Sequence, residues 1–142
     1  MAGRVSERKL ASSDPAERTL TILIVEDEYL VRASLSDYLQ DSGFKVLEAS
    51  NATEAIEIIE KTGVQLHLIF SDVLMPGPID GFGFAHWIRA NRPSLPIILT
   101  SGAFNRAACA EELRESESFM AKPYNLEAVV SRMRAVLGAG RT

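Results

Sequence analysis

Cysteine is almost missing from this chain. Cys109 is the only one among 142 residues, so no intrachain disulfide can form and a cysteine-rich zinc site is excluded. That usage fits a reducing, cytoplasmic setting. Long apolar runs are missing too: none approaches the roughly 20 residues of a membrane span. The leading stretch MAGRVSERKLASSDPAER is polar and has no apolar core of the signal-peptide kind. There is no excess of basic charge. A net charge of −4 disfavours binding to nucleic acid or an anionic membrane through net charge alone. No internal repeat or low-complexity block is visible.

What remains is an ordinary globular mix, 46% hydrophobic and 24% charged. A chain of this length argues for one domain that buries about two-thirds of its unfolded surface. Residues 1–19 read as a flexible tail, 20–138 as the domain and 139–142 as a short terminal tail. From Leu20 onward, short apolar runs alternate with longer amphipathic segments. Strands are predicted at 20–25, 44–48, 66–70, 96–100 and 118–121. Helices are predicted at 28–40, from the Asn51 cap to Gly63, at 82–91, at 105–115 and at 126–137. Asn51 with Glu54 three residues on is a relative of the capping box, and Asn125 is the expected cap of the last helix. Nearly all-apolar strands alternating with helices predict a parallel sheet covered on both faces. The expected fold is α/β, flavodoxin-like, with strand order 2-1-3-4-5. Sites in such sheets form at the carboxyl ends of the strands.

Those ends carry chemistry. Strand one ends in Glu26-Asp27, strand three in Ser71-Asp72, strand four in Thr100-Ser101-Gly102 and strand five in Lys122-Pro123. Clustered carboxylates repel unless a cation joins them, and an all-oxygen donor set in an open loop suits Mg²⁺. A carboxylate can also attack phosphorus, giving an aspartyl phosphate. A metal, a lysine and a hydroxyl would then stabilise the charge spread over the transferring group.

The segments ILIVEDE (22–28), DVLMPGPIDG (72–81), LPIILTSG (95–102) and FMAKP (119–123) together resemble the receiver domain of two-component response regulators. The resemblance covers about residues 20–138. It implies that Asp72 accepts a phosphoryl group from a sensor histidine kinase or histidine phosphotransfer protein. It implies that Asp27, Asp72 and the backbone carbonyl of Leu74 bind Mg²⁺, with Mn²⁺ as a substitute, and that Glu26 supports the metal. Ser101 becomes the switch hydroxyl, preferred to Thr100 because the small Gly102 follows it. Lys122 contacts the phosphoryl oxygens, Phe119 is the switch aromatic, and the Lys122-Pro123 bond is expected to be cis. Tyr29, Arg32 and Ser36 are expected on the outer face of the first helix, where the phosphodonor docks in this family. Output is expected through protein contacts around 105–115, the fifth strand and the last helix, with neither nucleic acid nor membrane as a direct partner. Only five residues follow Leu137, so the expectation is a receiver with no output domain on this chain, serving a protein target or acting as a phosphoryl shuttle or sink.

Two features depart from the family pattern. Asp80 and Gly81 lie eight and nine residues past Asp72 rather than seven and eight, so the loop is one residue longer. The positions two past Asp72 and two past Ser101 are Leu74 and Ala103, and neither can orient a water, which predicts slow, unassisted self-hydrolysis or reliance on a partner. A rival class, a metal-dependent phosphatase with an Asp-x-Asp nucleophile, is disfavoured because Leu74 stands where its second acid would be. A receiver degenerated to a binding module is disfavoured by the complete acidic set and lysine. His67 reads as a core or capping residue, His86 as solvent-facing, Trp87 as lying outside the inward stripe of its helix, and Cys109 as a small helix residue.

Overall fold

The computed structural model of the chain describes residues 19–102 and 117–139. The predicted helix at 105–115, with Cys109, and the position of Ala103 lie outside the described residues, as does all but the last residue of the predicted tail at 1–19. Five strands form one parallel sheet in the order β2-β1-β3-β4-β5. They are β1 (Thr21–Val25), β2 (Lys45–Ala49), β3 (Leu68–Asp72), β4 (Ile97–Gly102) and β5 (Glu117–Lys122). The four helices among the described residues are α1 (Tyr29–Asp41), α2 (Ala52–Lys61), α3 (Gly81–Asn91) and α4 (Leu126–Ala139).

The sheet divides the interior into two layers. Leu23, Val25, Ile69, Ile97 and Leu99 pack on α2 and α3 through Ala55, Ile59, Phe84, Ala85 and Ile88. Ile22, Ile24, Leu68, Phe70 and Ile98 pack on α1 and α4 through Leu35, Leu39, Val129 and Met133. Successive residues of a strand therefore serve opposite layers. This is why the strands read as continuous apolar runs rather than alternating ones. Burying each large aliphatic side chain contributes roughly 1.5–3 kcal/mol.

Caps end the helices as the sequence suggests. Asn51 Oδ1 accepts from Glu54 N at 2.8 Å, and the Glu54 carboxylate accepts from Ser50 N at 2.7 Å and Ser50 Oγ at 2.9 Å. Asn125 Oδ1 accepts from Ala128 N at 2.7 Å. His67 works as a capping residue of the sheet. Its N–H donates to Thr21 O at 2.9 Å and its Nδ1 accepts from Thr21 N at 3.0 Å, so its side chain completes the β1–β3 pairing just ahead of the start of β3.

The strands differ from expectation at their carboxyl ends. β3 runs from Leu68 to Asp72 rather than 66–70, β4 extends to Gly102 and β5 to Lys122. The polar end residues are thus held by ladder hydrogen bonds rather than released into loops. Ser36 is a further correction: it is 2% exposed and accepts from Gln40 Nε2 at 2.9 Å, so it does not lie on the outer face of α1. As a small polar residue between Leu35 and Leu39, it fits the contact side of the helix.

The longer loop after Asp72 is absorbed without loss of its closing contacts. Asp80 still caps α3, accepting from Gly83 N at 2.8 Å, and Gly81 N donates to Val73 O at 2.8 Å. Trp87 is half-buried beside the loop, and with Gly77, Pro78, Ile79, Asp80 and Gly83 it lines a groove of about 460 Å³. Gly81 is required by space: a Cβ there would stand 2.5 Å from both Asp72 O and Val73 Cα. Gly81→Ala must displace the backbone that carries Asp72. It is expected to cost at least about 1–3 kcal/mol of stability, read as a lower urea midpoint.

The Glu54 carboxylate is held below its ordinary value of 4.5, first by the hydrogen bond from Ser50 N and then by that from Ser50 Oγ. A depressed carboxylate contributes stability above its unfolded pKa and loses it as pH falls through the lower folded value. Glu54→Gln should therefore fall below wild type in urea midpoint near neutral pH, and the two should converge as pH drops below about 4.5.

Candidate functional site

The carboxyl ends of β1, β3 and β5 converge. Glu26 N donates to Ala49 O at 3.0 Å, which carries the β1–β2 pairing one residue past β1. The Glu26 side chain, only 4% exposed, accepts from Glu28 N through Oε2 at 3.0 Å. Asp72 closes β3 with a side chain 7% exposed, and its Oδ1 accepts from Leu74 N at 3.3 Å. From β5, Lys122 Nζ reaches Asp72 Oδ2 at 2.8 Å and Glu26 Oε1 at 3.5 Å. Asp27 is exposed. One oxygen from each of Glu26, Asp27 and Asp72 lies within 4.8 Å of the others.

Burial pushes the Glu26 carboxyl up from its ordinary range, and the charge of Asp72 adds to this. The hydrogen bond from Glu28 N and the Lys122 ammonium oppose it without cancelling it. Burial also pulls the Lys122 ammonium down. The hydrogen bond to Asp72 and the charges of Asp72 and Glu26 outweigh that, so its pKa lies above the ordinary value. Among the described residues, Lys122 is the one cation in contact with these carboxylates, so this cluster carries more negative than positive charge. An all-oxygen donor set of three carboxylates, two of them buried beside one lysine, fits a hard divalent cation such as Mg²⁺. Leu74 meets the site through its N–H to Asp72.

The strand register separates the two hydroxyls of β4. Thr100 pairs with Asp72 on one side and Met120 on the other, whereas Ser101 pairs with Ala121. Ser101 is 1% exposed. By alternation it shares the face of Leu99 and Phe119, and Phe119 packs partly buried against the α2/α3 layer. The Lys122-Pro123 bond is cis, as expected.

Arg32 is a residue whose role the sequence did not reveal. It was expected as a docking residue on the outer face of α1, yet its side chain is 16% exposed and bonded inward. Its Nη1 donates to Glu26 O at 2.7 Å, its Nε to Glu48 at 3.1 Å, and its guanidinium lies 5.5 Å from the Tyr29 ring centre. It ties the acidic loop to the end of β2. No motif spacing announces that contact, because it depends on the β1–β2 pairing. Tyr29 is 66% exposed, as expected, and Leu30 and Leu74 are 78% and 55% exposed at the same end of the sheet. His86 is exposed and meets Arg89 Nη1 at 3.0 Å.

This fold, with an acidic trio and a lysine at the strand ends, is that of a receiver module. The chain belongs to the response regulator receiver domain family, whose model matches residues 22–134. It is 32% identical over 133 residues to the sensor kinase CckA of Brucella abortus (strain 2308), covering 92% of this chain and 14% of that protein. It is 34% identical over 110 residues to a cyclic di-GMP phosphodiesterase of Thermotoga maritima, covering 76% of this chain and 28% of that one. The chain thus spans well under half of these relatives. Among solved structures, a response regulator receiver protein from Sinorhizobium medicae WSM419 matches with TM-score 0.78 at 25% identity, over 87% of this chain and 98% of that one. The receiver domain of the hybrid histidine kinase CckA matches with TM-score 0.70 at 32% identity, over 82% of this chain and 98% of that one. Among the described residues, no helix is long and apolar enough to cross a membrane.

A cation that binds only the folded chain raises its melting temperature. The gain is about 1.4 kcal/mol when the free ion exceeds its dissociation constant about tenfold. Mg²⁺ should therefore raise Tm in a calorimetric titration. Asp27→Asn should lose most of that gain while leaving the metal-free Tm near wild type, because Asp27 is exposed.

Proposed function

We propose that Asp72 accepts a phosphoryl group from the phosphohistidine of a sensor histidine kinase or a histidine phosphotransfer protein. The observation that carries this reading is the 2.8 Å contact from Lys122 Nζ to Asp72 Oδ2 beside two further carboxylates. A carboxylate oxygen of Asp72 attacks phosphorus. The P–N bond breaks, its electron pair stays on the imidazole, and the new acyl phosphate remains on Asp72. Lys122 is positioned to follow the phosphoryl oxygens, since a point-charge ammonium serves a spreading negative charge well. Bound Mg²⁺, held by Glu26, Asp27, Asp72 and the carbonyl of Leu74, would neutralise charge on the same oxygens; Mn²⁺ is a chemically similar substitute. The chain signals and does not turn over a substrate beyond slow loss of its own phosphoryl group.

The switch follows from local electrostatics. New charge at Asp72 attracts the Ser101 hydroxyl, and Phe119, on the same face as Ser101, moves into the space vacated. The surface around β5 and α4 then presents itself to a protein target or a second phosphotransfer partner. Exposed Tyr29, Leu30 and Leu74 around the carboxylates offer an apolar rim for the donor helix. We assign the protein to the cytoplasm, on its cysteine usage, with no direct role for nucleic acid or membrane.

Acetyl phosphate with Mg²⁺ should add one phosphoryl group per chain by intact mass, and none to Asp72→Asn. Equal labelling of that variant would refute the acceptor. Because Leu74 cannot orient a water, the acyl phosphate should persist for minutes or longer. Decay within seconds would overturn the expectation of slow hydrolysis.

A further inference from the structure

Thr100 is 1% exposed, and its Oγ1 is buried without a hydrogen-bond partner among the described residues. Leaving a buried hydroxyl unpaired costs stability, so such a group calls for an explanation. The register supplies one. Thr100 is the β4 partner of Asp72, and register partners here serve one face. One pleat earlier, Phe70 and Ile98 are partners that both pack in the α1/α4 layer. Glu26, two residues past Ile24, and Lys122, two past Met120, fall on that face by the same alternation. Thr100 therefore shares the face of the site, on a strand about 4.8 Å from that of Asp72. Asp72 Oδ2 is engaged by Lys122 at 2.8 Å, while among the described residues Oδ1 has a long 3.3 Å contact from Leu74 N. A χ1 change between staggered wells is enough to turn a threonine hydroxyl toward a neighbouring strand.

We propose that Thr100 is a second hydroxyl of the phosphoryl site, donating to the Asp72 carboxyl oxygen that does not carry phosphorus. This rests on Asp72 being the acceptor. In hydrolysis a water oxygen bonds to phosphorus and the Asp72 O–P bond breaks. The electron pair leaves on the Asp72 carboxylate, and the water proton passes with the phosphate to solvent. Charge grows on the carboxylate, where the Thr100 O–H stabilises it. Thr100 thus speeds loss of the phosphoryl group. It sets the lifetime of the signal from beneath the site, in a chain whose Leu74 gives no help from above.

The test labels the full chain with acetyl phosphate and Mg²⁺, removes the donor, and follows decay by intact mass. Thr100→Val, close in shape, should decay roughly three- to tenfold more slowly than wild type, the worth of about one hydrogen bond. Thr100→Ser, which keeps the hydroxyl, should stay near wild type. The Mg²⁺ dissociation constant and the metal-free Tm of Thr100→Val should not worsen, which separates lost chemistry from a damaged site. Equal decay of wild type and Thr100→Val, with Asp72→Asn unlabelled, overturns the role of Thr100 alone. No labelling of wild type, or equal labelling of Asp72→Asn, overturns the acceptor reading with it. Should Thr100→Val fail to fold, Thr100→Ala must show the same slowing, and wild-type decay there also overturns the proposal.

Discussion

The contact between Lys122 Nζ and Asp72 Oδ2, 2.8 Å long, joins residues far apart in the chain and governs the end of the sheet where they meet. Asp72 and Glu26 are both buried, and two buried carboxylates side by side are unstable unless positive charge or a cation joins them. Lys122 meets both, yet one ammonium cannot balance two carboxylates and an exposed third. The sheet has to hold these groups together in spite of that repulsion. It does so by keeping Asp72 and Lys122 within β3 and β5 and by fixing Glu26 through its backbone to Ala49. The result is a cluster of three carboxylates at the strand ends, two of them buried, with Lys122 bridging Glu26 and Asp72.

The acidic loop is held from behind as well. Arg32 donates to Glu26 O and to Glu48, and its guanidinium lies over Tyr29. A planar guanidinium can serve a carbonyl, a carboxylate and a ring at once, which an ammonium cannot. Its positive charge meets Glu48 and a carbonyl, while Lys122 meets Glu26 and Asp72. Through the same contacts α1 begins at a fixed angle, presenting Tyr29 and Leu30 beside the pocket rather than into the core.

Much of this was legible in the sequence because it depends on local pattern. The strands are short apolar runs, the caps at Asn51 and Asn125 sit where spacing put them, and the α3 stripe Phe84, Ala85 and Ile88 is buried as its period implies. Glu26, Asp27, Asp72 and Lys122 could be gathered into one site because parallel strands of known order bring their carboxyl ends together. What escaped was whatever depends on how one element meets another. Ser36 looked like an outward residue but is buried in the same helix as Leu35 and Leu39. Arg32 looked like a docking residue but bonds across to β2. The strand ends were set too early at β3, β4 and β5, since polar residues read as loop when only hydrophobicity is followed. Here Asp72, Thr100, Ser101 and Lys122 stay in the ladder.

That extension changes what adjacent polar residues mean. In a loop, Thr100 and Ser101 would be interchangeable neighbours, and the choice between them would rest on motif alone. Within β4 they are separated by the pleat. Thr100 shares the face of Asp72 and the α1/α4 layer, and Ser101 shares the face of Phe119 and the α2/α3 layer. A hydroxyl on the Phe119 side is suited to carry a change at the phosphoryl group into the packing of the other layer. A hydroxyl on the Asp72 side is suited to act on the carboxyl group itself. With the roles proposed for them, the dipeptide TS would divide the reporting of a charge from the timing of its removal, and the strand keeps both residues in its ladder.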